Sequence, residues 1–312
     1  MLRQRKYFLL LAILTITMLI LAGCGGKQQG ASKPEGSNLP GSPKQEMKVL
    51  KMGLIPAEDQ EEMLKRFGST IAYLEKKLGM KVEPYMATDY TGVIEAMRSK
   101  KIDIAFFGPF SYVLAADKAN AECFAVGVRN NGKSTYQSII VAHKDSGIKK
   151  LEDLKGKDFV FVDPASTSGN LIPRVILKKA GIDPEKDFKS VTYAGGHDAV
   201  ELAIKNKKAP AGADNDITYE KMVAEKVISP EENIIIAKSD PIPGSPIVWR
   251  KDLPEDLKEK IKQAFLNMHK EDSQALSGYG AIIRYDEARD SEYDIIRETA
   301  KILNLDLSKI KG

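Results

Sequence analysis

A chain of 312 residues, 43% of them hydrophobic, can bury one large core or two medium ones. Its 47 basic and 43 acidic residues leave a net charge of +4 with both signs mixed along the chain, which excludes the basic face that nucleic acid requires. Two cysteines and three histidines (His143, His197, His269) show no metal-ligand spacing, so neither a metal nor another cofactor is expected. The first element is a leader. Arg3, Arg5 and Lys6 precede an almost unbroken apolar run from Tyr7 to Ala22. That run is short for a membrane span and ends in small residues, as a cleaved signal peptide over residues 1–23 would.

Leu21-Ala22-Gly23-Cys24 resembles the lipobox of bacterial lipoproteins. The resemblance implies cleavage before Cys24, acylation of its thiol (palmitate among the lipids), and anchorage on the extracytoplasmic face of the cell membrane. Residues 24–47 are rich in Gly, Pro and Ser and nearly free of apolar side chains. Such a segment cannot bury enough surface to offset its ordering entropy and is expected to be a disordered tether, its ends roughly 25 Å apart. With Cys24 acylated, Cys123 is left alone in the apolar run 122–128, where a buried core residue is expected.

About 265 residues remain from residue 48 onward, and strand-like and helix-like segments alternate along them. Residues 49–55 read as a strand, and 59–78 as a helix with Met63, Phe67, Ile71 and Leu74 on one face. A strand at 82–86, a helix at 90–98, a strand at 102–106 and a helix at 110–118 follow, then strands near 123–128 and 138–143. A second set runs from 158 to 236, with helices at 168–180, 197–206 and 218–226 between short strands. Three helical segments, near 255–270, 272–280 and 286–303, close the chain. This alternation predicts the α/β class with largely parallel strands, arranged as two lobes whose loops meet at a shared cleft.

The richest local signal lies at residues 159–181. The run Phe159 to Val162 reads as a buried strand, Asp163-Pro164-Ala165 breaks it, and Ser166-Thr167-Ser168-Gly169-Asn170 leads into a helix. Three hydroxyls and free backbone N–H groups at a helix start can hold an anion without a counter-charge. The same residue types also make an ordinary N-cap. His197 follows Gly195-Gly196 at another strand-to-helix junction and can donate to an oxyanion. Ser166, His197 and Asp198 supply the residue types of a hydrolytic triad. However, no Gly-x-Ser-x-Gly elbow is present, and adjacent His197 and Asp198 point in different directions on a helix.

Taken in order, five segments resemble the substrate-binding lipoproteins of phosphate/phosphite/phosphonate ABC transporters. They are 88–92 (TDYTG), 103–108 (DIAFFG), 163–169 (DPASTSG), 194–197 (AGGH) and 242–250 (IPGSPIVWR), and the resemblance spans about residues 48–305. It implies a two-lobed, type II periplasmic-binding-protein ("Venus flytrap") fold with mixed sheets flanked by helices. Lobe one would hold residues 48–141 and 243–312, and lobe two residues 142–242, with hinge crossings near 142 and 241. It implies no enzymatic activity. A small phosphorus oxyanion (phosphonate, phosphite or phosphate) would bind between the lobes of a monomer and pass to an ABC permease and its ATPase. Under the resemblance, Ser166, Thr167 and Ser168 are donors to the phosphonyl oxygens, His197 contacts the ligand, and Tyr90 and Tyr136 close over it. Asp214 and Asp216 lie near a position that holds the amine in aminoalkylphosphonate binders, whereas Ser245 stands where a second acid would be. That departure favours phosphite, methylphosphonate or phosphate. A sensor for another small anion, or a serine hydrolase, are the alternatives.

Overall fold

The computed structural model describes residues 48–276 and 279–304. The segments expected to be signal peptide and tether, with Cys24, lie outside the described residues. Two open sheets organise the fold. The first runs from edge to edge as Ile282–Glu287, Ala121–Arg129, Pro246–Arg250, Ile104–Phe106, Val49–Leu54 and Lys81–Met86. The second runs Asn233–Lys238, Ser138–His143, Ala211–Asn215, Asp158–Phe161 and Ser190–Tyr193. The described residues cluster as one compact unit, and among them no helix is long and apolar enough to cross a membrane.

Both sheets are mixed rather than largely parallel. Val49–Leu54 pairs in parallel with both of its neighbours, while Pro246–Arg250 enters antiparallel between Ile104–Phe106 and Ala121–Arg129. In the second sheet Asp158–Phe161 has two parallel partners, and Ser138–His143 two antiparallel ones. The antiparallel members are the strands by which the chain changes sheets. A run buried on both faces carries no alternation to announce its direction.

The boundary expected at 141/142 falls inside Ser138–His143, a fully buried strand of the second sheet. The change of sheet comes earlier, at Thr135–Tyr136, and the return comes at Ile242–Pro243. These two dipeptides pair with each other, Tyr136 opposite Ile242, so both crossings lie side by side. The C-terminal region also departs from expectation. Residues 273–275 form a single 3₁₀ turn, and Ile282–Glu287 is an edge strand antiparallel to Ala121–Arg129, followed by a short helix at Asp294–Ile302. Gly280 (φ 101) and Ala281 (φ 53) are left-handed there, which no helix tolerates.

Packing follows the apolar faces. The helix Gln60–Leu78 buries Met63, Phe67, Thr70, Tyr73 and Leu74, a stripe at helical spacing, and is capped by Asp59 and left-handed Gly79 (φ 67). Ile261, Phe265 and Met268 on Glu255–Glu271 are fully buried, and Phe265 meets Phe124 edge-on while Phe124 stacks on Trp249 at 4.1 Å. Cys123 is buried and free, its thiol pushed up to about 11 by burial. A smaller cluster of Ile140, Phe159, Phe161, Leu177 and Ala213 lies under the second sheet.

Candidate functional site

Five helices start around one cavity, each at the carboxyl end of a strand. They are Tyr90–Arg98, Pro109–Ala119, the turn Thr167–Leu171 that leads into Ile172–Lys179, His197–Lys205, and Asp216–Ala224. Their first or capping residues, Tyr90, Gly108, Ser166, Thr167, His197 and Asn215, all line the cavity. Each helix end contributes roughly half a positive charge through its unpaired N–H groups, so positive dipole ends face the cavity although, among the described residues, no Lys or Arg lines it. Ile55, Ala57, Phe106, Tyr136, Ser168, Ser245 and Tyr279 complete the wall around about 280 Å³.

The Ser-Thr-Ser segment is held by its acceptor atoms, which leaves its protons free. Ser166 Oγ accepts from Gly169 N (3.1 Å), and Thr167 Oγ1 accepts from Phe110 N across the cleft (2.8 Å). A hydroxyl that accepts in this way still has its O–H to give. Ser168 is pinned through its carbonyl, which accepts from Ser138 Oγ (2.7 Å), and its hydroxyl stands beside Tyr136. The turn is π-helical and lies directly on the strand before it. A Cβ at Gly169 would come within 2.2 Å of Val162 Cγ2, so only glycine fits. Asp163 fixes the approach by accepting from Ala165 N (2.7 Å) and from Tyr90 N of the opposite half (3.3 Å). Burial lifts its carboxyl to about 6.

Tyr90 is 2% exposed, and its hydroxyl is buried with no hydrogen-bond partner. Burial pushes that hydroxyl well above 10, while Ser166, close by but outside hydrogen-bonding geometry, pulls the other way. Tyr136 is pushed up to about 12 by burial, against the nearby hydroxyls of Ser168, Thr167 and Ser245. His197 is 4% exposed; its backbone N donates to Ala57 O (2.9 Å), and Nδ1 lies 2.6 Å from Asp214 Oδ1. Burial holds its imidazole down at about 4.

The predicted residues therefore divide. Tyr90, Tyr136, Ser166, Thr167, Ser168 and His197 share the cavity wall. Asp214 is fully buried and reaches the cavity only through His197. Asp216 lines neither this cavity nor its neighbour; it pairs with Arg129 (3.2 Å) and accepts from Gln137 N (3.1 Å). Ser166 and His197 share no hydrogen bond, and Asp198 accepts instead from Ala199 N and Asp59 N. Sequence reasoning missed Asn215 and Tyr279. Asn215 caps its helix through Oδ1 (Thr218 N, 2.8 Å) and gives Nδ2 to the Tyr279 hydroxyl (3.0 Å). Its signal was available, an Asn at the end of a short strand just before a helix. Tyr279 follows residues 277–278 and had none.

Two sheets whose helix starts converge on one uncharged pocket define a solute-binding protein of the periplasmic type. Residues 52–293 match the family of ABC transporter, phosphonate, periplasmic substrate-binding proteins. The chain belongs to that family, which makes it a binding component and not an enzyme. It is 38% identical over 235 residues to the phosphonates-binding periplasmic protein of Escherichia coli, covering 74% of this chain and 69% of that one. It is 34% identical over 257 residues to the phosphate-import protein PhnD of Mycolicibacterium smegmatis, covering 79% and 78%. The solved structure of PhnD1 from Prochlorococcus marinus in complex with methylphosphonate superposes with a TM-score of 0.74 at 26% identity, covering 82% of this chain and 98% of that one.

Proposed function

We propose that this chain is the extracytoplasmic binding lipoprotein of an ABC importer, and that it captures a small phosphorus oxyanion in the cavity between the two sheets. The three hydroxyls of Ser166, Thr167 and Ser168, with protons free and helix starts behind them, support this reading most directly. Neutral donors and aligned dipoles suit an oxyanion that must also be released, since they bind without an ion pair to break. Residues 48–136 with 243–304 form one lobe and 137–242 the other. The paired crossings Thr135–Tyr136 and Ile242–Pro243 act as the hinge.

The ligand is small and carries no amine. Among the described residues no carboxylate lines the cavity, and none lines the adjoining one, which shares Phe106, Tyr136, Ser245 and Tyr279 and adds the cation Arg129. An alkylammonium tail would lose its water and gain no partner there. Methylphosphonate, phosphite and phosphate fit this chemistry, in keeping with relatives named for phosphonate and for phosphate. Titration calorimetry with these three and 2-aminoethylphosphonate tests it. Tightest binding of the amine compound overturns the ligand assignment, and no binding by any of the four overturns the function. For the anchor, Cys24→Ala is expected to release the protein from the membrane fraction; continued membrane association would refute it.

A further inference from the structure

Behind His197 lies a second carboxyl group that the binding reading does not use. Glu201, one helical turn after His197, is fully buried, as is Asp214. Glu201 Oε2 accepts from Asn233 Nδ2 (2.6 Å), and Asp214 Oδ1 faces His197 Nδ1 (2.6 Å). The remaining oxygens, Glu201 Oε1 and Asp214 Oδ2, are buried, and neither has a donor. The two carboxyls are close enough to act on each other's charge. Two acceptor-only atoms in contact away from water are satisfied by one proton between them, and two carboxylates in contact cannot both ionise. The charged groups that act most on these three residues are Glu58, Asp198 and Asp163, all acidic; Tyr219 and Tyr279 also face the carboxyls, and the cations Arg66 and Lys221 are taken up by Glu58 (2.8 and 3.1 Å).

We propose that Glu201 is a positioning residue of the oxyanion site, keeping its own proton and donating it to Asp214 Oδ2 so that Asp214 Oδ1 accepts from His197 Nδ1–H and leaves His197 Nε2 as a bare acceptor toward the cavity. Such a nitrogen calls for an oxyanion that still carries a proton, a P–OH group, and repels one that has none. Asn233 sets the geometry from the far side: it also donates to Glu201 O (3.0 Å) and is itself held by Tyr219, whose hydroxyl donates to Asn233 O (2.7 Å). The direction of the charge states agrees. Burial drives both carboxyls upward and the imidazole downward.

Two readouts on the full chain test this, and only the second rests on the proposed function. Glu201→Gln keeps a donor for Asp214 and an acceptor for Asn233 but no titratable proton. The folded wild type holds a proton that the unfolded chain releases above about pH 4.3, so its stability falls as pH rises, and the variant lacks that loss. The Tm advantage of E201Q, measured without ligand, is expected to grow by about 3 °C or more between pH 6 and pH 8. A constant offset between the two proteins overturns the proton. For binding, E201Q is expected to hold methylphosphonate within about threefold of wild type, whereas Glu201→Leu, which offers Asp214 no donor, weakens it about tenfold or more. Equal affinity of wild type and E201L overturns the positioning role. If methylphosphonate does not bind the wild type, phosphite or phosphate replaces it in this comparison; absence of binding by all three refutes the oxyanion site and this role with it, and the stability comparison still decides the proton.

Discussion

Thr167→Val separates the two tasks of the Ser-Thr-Ser segment. Valine matches threonine in shape, so the cavity wall keeps its form. Thr167 Oγ1, however, is the acceptor for Phe110 N, a bond of 2.8 Å between a residue 2% exposed and one fully buried. In the closed form the variant strands that N–H, at a cost of about 1–3 kcal/mol; once the cleft opens, water satisfies it. The variant also loses the hydroxyl proton offered to the ligand, a bond to a charged group worth about 1.5–3 kcal/mol. Together these predict a loss of about 10² to 10⁴-fold in affinity. Ser168→Ala loses only the ligand bond, because Ser168 is held by its carbonyl, and should weaken binding by about 10 to 150-fold. Calorimetry with methylphosphonate gives both affinities, and small-angle scattering without ligand reports the open fraction, which only T167V should raise. The reasoning fails if T167V binds no worse than S168A, or if both scatter like the wild type.

Three further perturbations address the neighbouring groups. Tyr90→Phe removes a buried hydroxyl that has no protein partner, so the ligand-free Tm should hold or rise while methylphosphonate affinity drops about tenfold; a clear fall in Tm would show an unseen partner. His197 is held at about 4 by burial. Below its ordinary value near 6.5 the unfolded chain takes up a proton that the native ring refuses, so this contribution is present above about pH 6.5 and is lost as pH falls toward 4. His197→Gln should therefore flatten the acid limb of a Tm-against-pH curve, and parallel curves would count against the buried neutral ring. Gly169→Ala places a methyl 2.2 Å from Val162 Cγ2 and should cost about 1–3 kcal/mol in urea unfolding. By moving the hydroxyls it should also weaken ligand binding, and wild-type values in both assays would mean the turn has slack.

The elements that were legible in the sequence are those whose fold is local. Met63, Phe67 and Leu74 mark the helix Gln60–Leu78 by spacing alone, and all three are fully buried. Pro246–Arg250 carries five buried residues in a row. Its direction depends on the chain returning from the other sheet, which no five-residue pattern encodes. Ile282–Glu287 failed for a different reason. As an edge strand it has a partner on one side only, and it lies almost wholly in the gap between the helices expected at 272–280 and 286–303.

The site divides along the same line. Ser166 to Ser168 announce themselves because capping chemistry is written in adjacent residues. The positive dipole ends that face the cavity are not written there, since they arise from five helix starts contributed by both sheets. The acids show the limit most plainly. By type alone, Asp214 and Asp216 are equivalent candidates for a ligand's cation. In the fold one is taken by Arg129, and the other is turned inward to orient His197. A carboxylate two residues along a strand-to-helix junction changes role completely: a continued strand would return residue 216 to the face of 214, but the helix that starts there turns it away. Under the proposed function, selectivity against amines rests on where these two acids point, and their number in the sequence says nothing about it.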